Sequence, residues 1–470
     1  AARSYVDLLN FAFGTDPKLT RPDDNTPRDR IGHGTATAMV AAGQDHDSPN
    51  GRISGVAPRA FLGNYKVFGS RGVNDTTYPS VVVKALEDAI ADGMDIASLN
   101  LGAPAGWGPL DVCGPQNNRQ PCDAFASAVQ NAIRLGLIVS ISAGNSGDIG
   151  ANAPSLNTIE SPGTAPGAIT VGAITNSHIW YNTLTVLGNG VPNELQSVNM
   201  RFGDGPQLSA SIEAQVTDVS SVTSSRLGCD PLPDNSMAGR IALVERGTCL
   251  IAQKVNNAQR AGAIAVVVTG LEGAGVFQLG GLDNTSIPAA LIGFNAGNSL
   301  RSFLSNQQRT VRLNPAFREV GAAADEIAVF SSQGPGIGNY SVKPDMVAVG
   351  TDLYMATQRT DPNGEMYNPN GYVVAEGTSF SAPMVAGAAA LVKQKSPGLR
   401  PAQVKSALAN TGNTNLVDYD NNGRQVQAAV TAMGGGKLDA NRALQSNVAV
   451  EPSSIGFGIV SPGSFPPAQG

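Results

Sequence analysis

Three stretches of the chain set reactive or polar side chains among residues too small to obstruct them. In EGTSFSAPMVAGAAALV, Glu376 to Val392, the turn Gly377-Thr378 delivers Ser379 to the start of an apolar helical pattern that carries Pro383 in its first turn. A serine at a helix start is ordinarily a cap for the free N–H groups there. A cap, however, does not require neighbours that are nearly all Gly, Thr, Ser, Ala and Pro. A nucleophile does, because its hydroxyl must touch a substrate carbonyl while the helix amides and dipole face the developing oxyanion. In IGHGTATAMVAAG, His33 lies between two glycines directly before a small-residue helix. The glycines strip bulk from around the imidazole, as a general base needs; taken alone, the same stretch fits a helix cap. In ISAGNSG, Asn145 closes a buried strand. A turn Asn is the plain reading, but at the carboxyl end of a strand its amide can donate to an oxyanion. The other two histidines are expected to be bystanders, His46 solvated in QDHDSPNG and His178 packed at a domain edge in NSHIWYN.

The elements that would position these residues alternate in type. SVVVKALEDAIADG, Ser80 to Gly93, is a helix by its spacing of Val83, Leu86 and Ile90, ended by Gly93. MDIASLNLG follows as a strand. DAFASAVQNAIRLG repeats the arrangement, with Asp123 as N-cap and Gly136 as stop before the strand LIVSISAGNSG. Strands alternating with helices imply an α/β fold with a parallel sheet covered on both faces, which takes ligands at the carboxyl ends of its strands. NLGAP and AGNSG fall at those ends. From Asn176 to Asp325 the pattern changes to short β-like segments, with one helix, IAQKVNNAQRAG, and one strand, AIAVVVTG. The expected division is therefore 1–175 and 326–446 as two parts of the α/β domain, 176–325 as a mostly-β insert, and 447–470 as the start of a further β domain. In the second part, IAVFSSQGPG resumes the α/β pattern and RPAQVKSALANTG is a helix with Pro401 first and Gly412 just past its end. The chain opens at Ala1 without Met or a signal-peptide pattern, so a fragment truncated at both ends is expected.

Composition narrows the partners. The net charge of −6 comes with no basic run, which argues against nucleic acid. The longest apolar stretches fall far short of the roughly 20 residues that span a bilayer, so no transmembrane segment is expected. The four cysteines fall as near pairs, Cys113 with Cys122 and Cys229 with Cys249, which suits disulfides in an oxidising compartment, although four cysteines allow three connectivities. No CxxC spacing argues for zinc.

Taken in order, GHGT, SLNLG, AGNSG and GTSFSAP resemble the subtilisin-like serine proteases over nearly all of Asp29 to Leu444, apart from the insert. The resemblance implies that His33 is the general base, Ser379 the nucleophile and Asn145 the side-chain oxyanion donor, joined by the backbone N–H of Ser379. It makes Asn100, Leu101 and Gly102 the segment that pairs with the substrate backbone, and Ala143 and Gly144 the flank of the pocket for the residue before the cut. It implies a secreted endopeptidase, acting as a monomer on proteins or peptides, with no cofactor for the chemistry. Relatives often bind structural calcium; DYDNNGRQ, Asp418 to Gln425, is merely suggestive of an oxygen-rich turn, and no metal ligand is assigned. The insert resembles a protease-associated domain through GRIALVERGTCLIAQKVNNAQRAGAIAVVVTG and SIPAALIGFNAGNSLRSFL.

Two departures stand out. The family's aspartate sits in an Asp-Ser/Thr-Gly turn upstream of the histidine. None of Asp7, Asp16, Asp23, Asp24 and Asp29 is followed by that pair, although Asp7 ends the strand-like RSYV. The acid is therefore expected before Ala1, possessed by a strand this sequence does not contain, which would leave these 470 residues nearly inactive. Ala36 also stands where many relatives carry a second histidine. A pseudoprotease that binds peptides without cutting them is the alternative, disfavoured because such a cleft has no chemical need for His33, Asn145 and Ser379 together. An α/β-hydrolase esterase fits worse: position 381 is Ser, so Gly-x-Ser-x-Gly is absent, and His33 precedes the serine.

Overall fold

A computed structural model describes residues 1–19, 26–115, 119–148, 156–305, 308–420 and 422–458. It divides into two compact units, one of 1–178, 321–358 and 373–470, the other of 179–320 and 359–372. The sequence reading drew its insert from Asn176 to Asp325 and did not associate 359–372 with it.

In the first unit, four parallel strands form the central sheet: β3 (Ile96–Leu99), β4 (Ile138–Ser142), β5 (Ile169–Ile174) and β6 (Met346–Val349), hydrogen-bonded in the order β6-β5-β4-β3. Short strands β1 (Ala2–Ser4) and β2 (Asn64–Lys66) pair parallel with each other in a separate sheet. The helices are α1 (Val6–Phe13), α2 (His33–Ala42), α3 (Pro79–Ala91), α4 (Ala124–Arg134), α5 (Thr378–Lys395) and α6 (Pro401–Ala409). Alternate residues of each strand point to opposite faces, so one strand can serve two cores. Ile138 packs with Ala382, Val385 and Ala389 of α5, while Val139 and Ile141 pack with Val82 and Leu86 of α3 and Val129 and Ile133 of α4. The sheet is thus covered on both faces, the α/β arrangement that the alternation implied.

Local signals act where expected, with small displacements. Asp123 caps α4 by accepting from the Ala126 N–H at 2.9 Å. Pro79 and Pro401 each occupy the first position of their helix, where a missing N–H costs nothing. Helix α5 begins at Thr378 with Gly377 as its N-cap, which places Pro383 in the second turn rather than the first. Asp7 does not end a strand: β1 stops at Ser4 and Asp7 lies in the first turn of α1. Residues 447–458 form no strand, in contrast to the β domain expected there, and 459–470 lie outside the described residues. Below the sheet, Asp345 accepts from Lys343 Nζ at 2.8 Å and Lys405 Nζ at 2.6 Å, all three side chains almost fully buried. The Thr170 N–H adds a third bond to this carboxylate at 2.8 Å.

The second unit is a closed barrel of seven strands in the order 178–186, 198–202, 289–292, 265–269, 241–245, 212–218 and 309–321. Ile241 and Leu243 fill its interior; the intervening Ala242 and Val244 face the helix Ile251–Arg260 through Val255 and Ala258. That helix also anchors a neighbouring loop, with the buried Lys254 donating to Leu227 O at 2.8 Å and Asn257 to Cys229 O at 2.8 Å. Cys113 is bonded to Cys122 in the first unit and Cys229 to Cys249 in the second. Among the described residues no helix is long and apolar enough to cross a membrane.

Candidate active site

Helices α2 and α5 bring His33 and Ser379 together. Each residue stands in the first turn of its helix, and the two helices touch where Gly387 of α5 meets Ala41 of α2; a Cβ on Gly387 would fall 2.6 Å from Ala41 O. Ala36 is fully buried on α2, a site suited to a small side chain. The His33 ring lies beside Phe380, the residue after the serine, with centroids 5.5 Å apart. Burial pushes the imidazole down from its ordinary pKa, with Asp29 opposing, so the ring is neutral and able to accept a proton near pH 7.

Asp29 itself is fully engaged as a cap for α2. It accepts from the N–H groups of Ile31, Gly32 and Thr35 and from the Thr35 hydroxyl, at 2.7 to 2.9 Å. Asp16 accepts from the Lys18 N–H, Asp7 is exposed on α1, and Asp23 and Asp24 lie outside the described residues. Among the described residues none donates to or accepts from the His33 ring.

Ser379 is not a cap. Its Oγ donates to Asn100 O at 3.4 Å, across from the carboxyl end of β3. Its backbone N–H is one of the free amides of the first turn of α5. The second donor is set by Thr378, which sequence reading left unassigned. Thr378 N–H and Thr378 Oγ1 both donate to Asn145 Oδ1 at 2.9 Å. Both partners are donors, so the atom facing them must be the amide oxygen, and Nδ2 is turned the other way. Gly377 measures where it points: a Cβ there would lie 3.5 Å from Asn145 Nδ2 and 3.7 Å from Ser379 N. The two N–H donors therefore border one space, which the glycine, at φ +148°, leaves open. Such a pair can hold the oxygen of a tetrahedral adduct formed at Ser379.

The walls of a trough extend from this point. Gly144 N–H donates to Thr378 Oγ1 at 3.2 Å, which ties Ala143 and Gly144 to the same helix start. Asn100 touches Ser379, and Leu101 and Gly102 lead away from it. Sequence reading placed NLGAP and AGNSG at strand ends by pattern and gave these five residues a substrate-binding role only through resemblance. His46 and His178 stay apart, His46 bonding Gln44 O and His178 contacting Asn176. The DYDNNGRQ turn spends Asp420 on Arg424 and on the Asn422 N–H. Among the described residues no cluster of three or more His, Cys, Asp or Glu is placed to hold a metal ion.

Proteins similar to this chain include extracellular and subtilisin-like proteases. The minor extracellular protease Vpr of Bacillus subtilis (strain 168) is 30% identical over 452 residues, covering 94% of this chain and 49% of that protein. Subtilisin-like protease SBT1.4 of Arabidopsis thaliana is 28% identical, covering 94% of this chain and 55% of that protein. The chain thus spans about half the length of these relatives. A solved structure, the psychrophilic subtilisin-like protease Apa1 of the Antarctic psychrotroph Pseudoalteromonas sp. AS-11, aligns over 91% of this chain and 86% of its own at 16% identity and a TM-score of 0.43. The model of the subtilase family matches residues 13–436, and the chain belongs to that family.

Proposed function

We propose that this chain carries the cleavage machinery of a secreted serine endopeptidase. Ser379 Oγ attacks a peptide carbonyl as His33 takes its proton. The oxyanion is held by Asn145 Nδ2 and the Ser379 N–H. His33 returns the proton to the leaving amine, and water hydrolyses the acyl-enzyme by the same route in reverse. The side chains named supply every group for these steps without a cofactor. The observation that carries the reading is the double bond from Thr378 to Asn145 Oδ1, which fixes an amide donor beside a helix-terminal serine. Secretion is supported by the two disulfides and by the extracellular designation of the Bacillus relative. The barrel unit is read as a protease-associated domain.

Among the described residues no acid meets the His33 ring, and Asp29 is taken up by α2. Among the described residues β2 pairs with β1 alone and β3 with β4 alone, so each has an open edge. Helix α3 links them and packs on both sides, with Val81 and Ala85 beside Tyr65 and Val82 and Leu86 beside Leu99.

The test is labelling of the protein, as its cell produces it, by diisopropyl fluorophosphate. Labelling confined to Ser379 and abolished in Ser379→Ala with the fold intact is expected. Persistent labelling of that variant would sink the assignment; no labelling of the natural protein would favour a peptide-binding pseudoprotease.

A further inference from the structure

Between the two segments that adjoin Ser379 lies one carboxylate that the cleavage chemistry does not use. Glu160 is fastened to both walls. Its backbone N–H donates to Ala143 O at 2.9 Å, and the next residue, Ser161, exchanges both backbone bonds with Ala103 at 2.9 Å. Its side chain then fills the gap between the walls. A Cβ on Gly102 would lie 2.8 Å from Glu160 Oε2, and one on Gly144 would lie 2.6 Å from its Cγ and Cδ. Any residue other than glycine at either position would therefore collide with it, and Gly144 also holds φ +108°.

The carboxylate has two donors and no cation. Ser146 Oγ donates to Oε1 at 3.2 Å and the Asn145 N–H donates to the same group. Among the described residues no Lys, Arg or His is paired with it. Burial pushes the carboxyl up from its ordinary value, and these two donors offset part of that. A half-buried acid with an unclaimed oxygen, in the trough that begins at the reactive serine, is short of one positive partner.

We infer that Glu160 is a specificity-determining residue that selects a basic side chain, lysine or arginine, on the residue preceding the cleaved bond. The inference rests on the peptidase reading, since it takes the substrate to lie with its carbonyl at Ser379. Two residues of extended chain separate Asn100 from Gly102, about 7 Å. A long side chain entering beside Ser379 spans that distance, whereas a short one leaves its end group far from Oε2. Gly102 and Gly144 carry no side chain to obstruct the stem of lysine or arginine, and its head meets the open carboxylate oxygen.

The test uses binding rather than turnover, so it does not depend on the acid partner of His33. The probes are the product peptides acetyl-Ala-Ala-Pro-Lys and acetyl-Ala-Ala-Pro-norleucine, which differ in the terminal ammonium, titrated calorimetrically into the natural protein and into Glu160→Gln. The lysine peptide is expected to bind about ten- to a hundredfold more tightly than norleucine, with Glu160→Gln bringing the two together. Equal affinities in the natural protein, an unchanged preference in Glu160→Gln, or no binding of either peptide would each overturn the inference. Should Glu160→Gln not fold, the lysine-to-norleucine ratio of the natural protein decides alone. Diisopropyl fluorophosphate carries no side chain to select, so Ser379 labelling judges the peptidase reading separately.

Discussion

Replacing Thr378 by valine removes one oxygen and keeps the shape. That oxygen accepts from Gly144 N–H at 3.2 Å and donates to Asn145 Oδ1 at 2.9 Å, in a side chain with no exposed surface. Two effects follow, and they separate. The Gly144 N–H, buried, loses its acceptor, which costs about 1 to 3 kcal/mol of stability. Asn145 keeps the bond from the Thr378 N–H at 2.9 Å, so its amide is held by one anchor instead of two. Losing such a side-chain donor altogether costs roughly 10² to 10³ in turnover, a range known from subtilisin, a member of this family. Losing one orienting bond of about 1 kcal/mol lowers turnover about fivefold, since each 1.36 kcal/mol is tenfold in rate. The assay is peptide hydrolysis by the naturally produced protein, with kcat and KM separated. We expect kcat to fall and KM to hold for Thr378→Val, and Thr378→Ser, which restores the hydroxyl, to recover kcat. Unchanged kcat in Thr378→Val alongside a lowered melting temperature would refute the positioning argument and leave the hydroxyl a purely structural support for 143–145.

Four further outcomes are expected. Gly377→Ala sets a Cβ between Asn145 Nδ2 and Ser379 N, at 3.5 and 3.7 Å, and should slow fluorophosphonate labelling at least about a hundredfold; unchanged labelling would mean the two donors do not share that space. Asp345→Asn leaves two buried ammoniums uncompensated and should cost about 3 to 5 kcal/mol in urea unfolding, a loss under about 1 kcal/mol contradicting the network. Cys229→Ser opens a loop of 20 residues and should destabilise the barrel by about 3 kcal/mol, read from Trp180, which lies in that unit, while Trp107 reports the other; an unmoved Trp180 transition would refute it. His33 has its pKa lowered, so it stays neutral on acidification until below its ordinary 6.5; the acid limb of labelling by these 470 residues should lie below pH 6.5, and a limb above 7 would show that the ring is not desolvated as described.

What could be read from the sequence was governed by how local each cause is. The Asp123 cap, the proline opening α6 and the apolar spacing of α3 act within a turn or two, and those elements stand within a few residues of where the pattern puts them. The start of α5 lies earlier relative to Pro383 because Gly377, not the serine, is the cap. Thr378 was illegible for a different reason: its partner Asn145 is 233 positions away, and a threonine in a small-residue turn carries no mark of that contact. Glu160 was equally silent, since the glycines it fits between belong to separate segments after separate strands. The barrel closes through pairings such as 212–216 with 309–313, which alternation within either strand does not specify.

The two halves of the site differ in how far they are built. The oxyanion half is completed by bonds internal to the chain: Gly144 to Thr378, Thr378 to Asn145, and the amides of α5 that need no partner until charge develops beside them. The imidazole half is placed but not oriented. His33 has Phe380 at one side and helix α2 beneath, yet its ring forms no hydrogen bond among the described residues, and the nearby Asp29 has its oxygens committed to four donors. A ring without an orienting bond samples both tautomers and more than one rotation, and productive transfer needs one of each. Among the described residues β2 and β3 each keep one edge unpaired, and β3 runs directly into Asn100, whose O accepts from Ser379 Oγ. A segment that pairs with the open edge of β3 and ends in a carboxylate beside His33 would supply the orienting bond.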